Sequence, residues 1–273
     1  MKKIIILVLT FVLFEACSTV PITGRKRVNL VSDAQVLPTS FAQYKGFLKE
    51  NKLSANREMT KQIKEVGKNI SEAVDRFMRA NNMVSEADSY RWEFNLVEDK
   101  TINAWCMPGG KVVFYTGIMP ICDNVNGVAA VMGHEVAHAF AKHGQERMTS
   151  SYGQQIGGLL VALGTSNKDP ETQQIWDAAF GVGSGLTMLK FSRTHEQEAD
   201  RLGLIFMMMA GYDGDEAAEV WVRMSKNSGG SSTPQILSTH PSNASRIQDL
   251  KSYLPTAKMY AEKYNQPLFQ IKK

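Results

Sequence analysis

Residues 133–140 read GHEVAHAF. Successive residues of an α-helix turn by about 100°, so positions four apart lie roughly 40° from one another and project from the same side. His134 and His138 can therefore present two imidazoles to one ion, while Glu135 points aside, toward a water at that ion, as a general base should. Neutral imidazoles suit zinc, one ion per chain, which brings no redox chemistry of its own. With five histidines in 273 residues, an accidental His-Glu-x-x-His arises about once in two hundred such chains. Those five, His134, His138, His143, His195 and His240, fall in three stretches that a single site could draw on.

A zinc site that keeps a position open for water needs a third protein ligand. On a continuous helix His143 lies five residues from His138 and about 140° off the metal-facing side. The metzincin pattern fails too, because Ala141 and Gly144 stand where it needs Gly and His. The remaining candidates crowd into FSRTHEQEADRLG, residues 191–203: His195, Glu196, Glu198 and Asp200. Glu196 and Asp200 are four apart and share a face, so one can ligate while the other accepts an N–H from a ligating imidazole. His195 and Glu198 then point elsewhere, as surface groups or local ion pairs.

Around the motif the chain reads as α+β with helix predominating. Met59, Ile63, Val66, Ile70, Val74 and Phe77 recur at three- and four-residue steps and predict one face of a long helix. Residues 90–99, YRWEFNLVED, alternate as a strand, and 101–119 read as two strands joined at Pro108-Gly109-Gly110. Residues 123–148 have helical composition. Residues 153–190 hold two Gly-rich apolar pieces, each too short for a membrane span, that predict close-packed helices or an apolar flap. A pair of helices is expected from about Ala244 onward. With 43% hydrophobic and 21% charged residues the composition is globular, and a formal net charge of +4 is too weak an excess to imply a nucleic-acid partner.

The start has the layout of an export signal: Lys2 and Lys3, an apolar run over 4–14, then EAC. Residues 1–16 are expected as a signal peptide and 17–32 as an amino-terminal linker. Cys17 resembles the lipidated first residue of a bacterial lipoprotein, although Phe14 and Glu15 fit the lipobox poorly. After export Cys106 and Cys122 meet an oxidising compartment, where they can pair as a disulfide or remain buried free thiols.

Taken in order, INAWCMPGG, GHEVAHAFAKHGQER, FSRTHEQEADRLG and STHPSNASRI resemble the HtpX-like and CAAX prenyl protease type zinc metallopeptidases, metallopeptidase family 48. CSTVPITGRKRVNLVSD resembles the mature start of its lipoprotein branch. The resemblance implies a zincin-like gluzincin domain over 33–273 with a small sheet beside the motif helix. It implies Glu196 as third zinc ligand and Asp200 as the carboxylate behind it. His240, in STHPS, would lie over the site, where it stabilises an oxyanion or caps the zinc at rest. Arg246 would orient this segment or a ligand carboxylate, and Asn103 and Ala104 would lie on an exposed strand edge that an extended peptide joins. The expected activity is endoproteolysis of unfolded or misassembled polypeptides in the bacterial envelope, with lipid anchoring at Cys17 to the outer membrane. The alternatives are a chaperone-like module with an occluded zinc site and a maturation protease of narrow specificity.

Overall fold

The computed structural model describes residues 17–162, 191–227, 235–240 and 244–264, without the side chains of 153–162 and 244. The expected signal peptide and most of the Gly-rich stretch 153–190 lie outside the described residues.

The chain opens with β1 (Cys17–Thr19) and β2 (Lys26–Val28), an antiparallel pair. Residues 17–32, expected as a linker, are thus partly built into the domain: Val20 is fully buried in the main core and Arg27 Nη1 donates to the Ala141 carbonyl at 2.7 Å. Two helices follow, α1 (Asp33–Glu50) and α2 (Arg57–Ala80). The Asn56 side chain caps α2 by accepting from Met59 N, and Ile63, Val66, Ile70, Val74 and Phe77 bury the face predicted from their spacing.

After α3 (Val84–Ser89) come β3 (Glu93–Val97), β4 (Ala104–Met107) and β5 (Lys111–Tyr115) in the order β3-β5-β4. β5 pairs parallel with β3 and antiparallel with β4, so β4 is an edge strand. The expected turn joins β4 to β5. Gly109 and Gly110 both take positive φ, 81° and 83°, and a Cβ on Gly110 would stand 2.4 Å from the Trp92 ring.

A short α4 (Met119–Cys122) leads to α5 (Val125–Phe140), capped by the Asn124 side chain on Asn126 N and Gly127 N. From Gly127 to Phe140 every residue of α5 is buried, which makes it the central helix. It stops where Lys142 adopts φ 58°, and α6 (His143–Ala162) starts in a new direction, so 123–148 forms two helices. Beyond the undescribed stretch come α7 (Arg193–Met209), α8 (Asp215–Asn227), α9 (Gln235–Thr239) and α10 (Ala244–Tyr264). Where a terminal pair of helices is expected, the described residues form one helix, α10, which continues through Pro255. The core joins α2, α5, α7, α8 and α10 with one face of the sheet.

No disulfide joins Cys106 to Cys122. Cys122 is fully buried at the end of α4, beside Arg223 of α8, whereas Cys106 lies on β4 facing a cleft; both are free thiols, as is the exposed Cys17. Among the described residues, no helix is long and apolar enough to cross a membrane.

Candidate metal centre

The site lies where α5 crosses α7. The helices touch at two glycines: a Cβ on Gly203 would stand 2.7 Å from His134 N, and one on Gly133 would stand 2.6 Å from Gly203 O. Only glycine at both positions allows this approach, and it brings the start of α7 against the histidine face of α5. Ser192 caps α7 by accepting from His195 N at 3.1 Å, which places Glu196 in the first turn.

Four side chains converge there: His134, His138, Glu196 and His240, each buried. His134 Nε2 is 3.1 Å from His138 Nε2 and 3.6 Å from Glu196 Oε2. His138 Nε2 is 3.5 Å from Glu196 Oε1. Donors held at 2.0–2.1 Å around a tetrahedral ion stand about 3.3 Å apart, so these separations fit zinc. His240 Nδ1 completes the cluster at 3.2 Å from His134 Nε2 and 3.0 Å from Glu196 Oε1. Its ring therefore sits at a fourth corner.

The electrostatics suit a cation. Burial, with the neighbouring His134, His240 and His143 rings, pushes His138 well below its ordinary range, so it stays neutral. Burial opposes the charge on Glu196, but His240 and Arg246 outweigh it and hold the carboxyl below its ordinary value. Asp200 Oδ1 lies 3.0 Å from His134 Nδ1, placed to fix that ring with Nε2 toward the cluster. Despite its burial, Arg246 and His134 hold Asp200 at about 2. Arg246 clamps both acids, with Nη1 2.8 Å from Glu196 Oε2 and Nε 2.7 Å from Asp200 Oδ2, and stacks over Trp221 at 3.8 Å.

Glu135 leaves the cluster on the other side. Its Oε1 is buried without a hydrogen-bond partner among the described residues, 3.8 Å from His240 Nε2. Burial holds its carboxyl above the usual range against the pull of His240 and His134. A cleft opens beside it, lined by Asn103, by Ala104 and Cys106 of β4, by Arg147 of α6, and by His240. Asn103 and Ala104, expected on an exposed edge, are 3% and 1% exposed: the strand is an edge, but these side chains point inward. The segment carrying His240 covers the strand's start, where Ile236 N donates to Ile102 O at 3.2 Å.

Two residues read as bystanders stand in this structure. His143 is fully buried, with Nδ1 2.9 Å from His138 Nδ1, because the left-handed turn at Lys142 swings it back over α5. Glu198, 4% exposed, lies 2.8 Å from His143 Nε2. A break between helices is what the spacing argument against His143 could not see, and nothing in the residues 141–142 signals it.

The peptidase family M48 profile matches residues 64–254. The mitochondrial metalloendopeptidase OMA1 of Schizosaccharomyces pombe is 35% identical over 190 residues, 69% of this chain and 54% of its own length. The Saccharomyces cerevisiae protein of that name is 30% identical over 251 residues, 87% and 69%. The beta-barrel assembly-enhancing protease of Escherichia coli K12 is 28% identical over 180 residues, 62% and 36%. The chain thus spans between about a third and two thirds of the length of these relatives.

Proposed function

The chain belongs to peptidase family M48, and on that premise we propose that it is a zinc-dependent endopeptidase of the bacterial envelope acting on unfolded or misassembled polypeptides. The observation that carries the reading is the convergence of His134, His138 and Glu196 at zinc-ligand spacing beside a buried Glu135, whose Oε1 has no hydrogen-bond partner among the described residues, and an edge strand. These three would hold the ion, with Asp200 and Arg246 keeping His134 and Glu196 in place. Zinc, when bound, supplies Lewis-acid activation of water and of the scissile carbonyl.

The remaining steps belong to the chain. Glu135 accepts a proton from the attacking water, a transfer favoured by burial that keeps the carboxyl basic, and then delivers it to the leaving amine. The open side of β4, beyond the Ala104 N–H, which donates to Asn103 Oδ1 at 3.0 Å, offers backbone N–H and C=O groups to an extended substrate, so main-chain pairing gives affinity with little demand on side chains. Such recognition suits unfolded clients. The fourth-corner position of His240 supports a resting form in which this ring would cap a bound ion, and a productive form in which it would swing aside to donate to the oxyanion. The occluded, chaperone-like alternative is this resting form made permanent, and a maturation protease of narrow specificity would use the same centre on one cleavage motif. The export-signal layout and Cys17, exposed at the start of β1, support an exported, lipid-anchored protein, with the outer membrane as the proposed site of anchoring.

Glu135→Gln is the test. Elemental analysis should find one zinc per chain in both proteins, with cleavage of a denatured protein such as casein lost at least a hundredfold only in the variant. A narrow set of cut sites would favour maturation. Zinc without cleavage in the wild type would favour the chaperone-like reading, and absence of zinc would sink the site.

A further inference from the structure

The amino-terminal hairpin reaches the metal cluster through a chain of hydrogen bonds that none of the roles above uses. At its inner end His138 turns Nε2 into the cluster and Nδ1 away from it, toward His143 Nδ1 at 2.9 Å. An imidazole that gives Nε2 to an ion carries its proton on Nδ1, so His138 donates here and His143 Nδ1 accepts. His143 then carries its own proton on Nε2, which donates to Glu198 Oε2 at 2.8 Å. Glu198 is held from the far side by Arg25 Nε at 2.7 Å and by the Thr23 hydroxyl. Arg25 is itself gripped by Glu146, with Nη1 2.7 Å from Oε2. The direction of both imidazole bonds follows from the requirement that His138 present a bare Nε2, and the Glu198 carboxylate accepts from His143, Arg25 and Thr23 alike.

We propose that Thr23, Arg25, Glu198 and His143 act as a positioning relay that fixes the tautomer and ring orientation of His138 as a zinc ligand. Residues 23–25, outside the span that the family profile matches, thereby belong to the site. The relay rests on the reading that His138 ligates zinc. Its physical basis is that a ligating imidazole gains basicity and loses rotational freedom when its second nitrogen donates to a partner itself pinned by a carboxylate. Arg25 supplies what that carboxylate needs: Glu198 is buried, and the adjacent guanidinium pairs with it at 2.7 Å and fixes its orientation. Asp200 does the same for His134 in one step; His138 needs two because its outer nitrogen faces α6 rather than α7.

The rival account is a buried ion-pair cluster that only stabilises the fold, and the two part on metal affinity. The purified full chain would be assayed for zinc affinity by chelator competition, for the visible spectrum of its Co2+-substituted form, and for the melting temperature of the metal-free form. His143→Ala and Glu198→Ala should weaken zinc about 10- to 100-fold and shift the Co2+ bands. His143→Asn, whose side-chain oxygen can accept from His138 Nδ1, should recover most of the affinity. Arg25→Lys, a change at a partly exposed side chain, should fall between wild type and Glu198→Ala. Unchanged affinity and Co2+ spectrum in all four variants would overturn the relay. So would losses that merely follow the melting of the metal-free protein and are not recovered by His143→Asn. A wild-type chain that takes up no zinc would instead remove the metal reading, and the relay with it.

Discussion

At the scale of single residues the ambiguity is His240. Its Nδ1 stands 3.0–3.2 Å from Glu196 Oε1 and His134 Nε2, a ligand's position, while its Nε2 is turned toward Glu135 at 3.8 Å. A group that caps the ion at rest must swing aside before water and substrate enter, and a group that stabilises the oxyanion must then act from its displaced position, so the two roles affect the rate in opposite directions. Truncation separates the two. If capping dominates, His240→Ala should raise the basal rate of casein cleavage several-fold and weaken zinc only modestly, since three ligands remain. A hundredfold fall in kcat with unchanged KM would instead give His240 the oxyanion role. The sequence made His134, Glu135, His138, Glu196, Asp200 and His240 readable as candidates because spacing on a helix, and resemblance beyond it, act on residue identity alone. Spacing could not place His240 among the ligands, a position only the resemblance implied, because it depends on residues 235–240, a segment that begins 26 residues after the end of α7 at Met209, being folded back across the strand edge.

At the scale of elements the site is a helix crossing. The long periodic face of α2 and the strand–Gly-Gly–strand pattern of β4 and β5 were legible because each is a local pattern with a local cause. The break at Lys142 was not, since an ordinary lysine takes the left-handed conformation there, and neither was the continuity of α10, where Pro255 invites a boundary that packing overrides. The α5–α7 contact rests on Gly133 and Gly203, where an added Cβ would strike backbone rather than a side chain able to move aside. Gly203→Ala should therefore push the helices apart, costing roughly 1–3 kcal/mol as overpacking does. Glu196 is about two turns away on the same helix, so its distance from His134 should change as well. Thermal melting of the metal-free protein would read the first effect and chelator competition the second. A stability loss with wild-type zinc affinity would show that the glycine contact does not set the ligand spacing.

At the scale of the whole molecule the cluster ties together segments far apart in the chain. α5 supplies His134, Glu135 and His138, α7 supplies Glu196 and Asp200, α10 supplies Arg246, and residue 240 follows α9. The hairpin at residues 17–28 joins through Arg25 and Glu198. An ion bound by native but not unfolded chains stabilises the fold by RT ln(1 + [Zn]/Kd), and removal of an ion held by this cluster would leave buried carboxylates and imidazoles with fewer partners. The loosening should follow the connections rather than spread evenly. On chelation, amide exchange should accelerate in residues 17–28, in the first turns of α6 and α7, and in 235–240, where backbone protection depends on side chains gathered around the site. The interior of α2, whose contacts are apolar and remote from the ligands, should keep its protection. Hydrogen–deuterium exchange with and without EDTA, read peptide by peptide, measures this directly. Unaltered exchange in residues 17–28 would mean that the hairpin is only packed against the domain, whereas equal acceleration in α2 would mean that the metal holds the fold as a single cooperative unit.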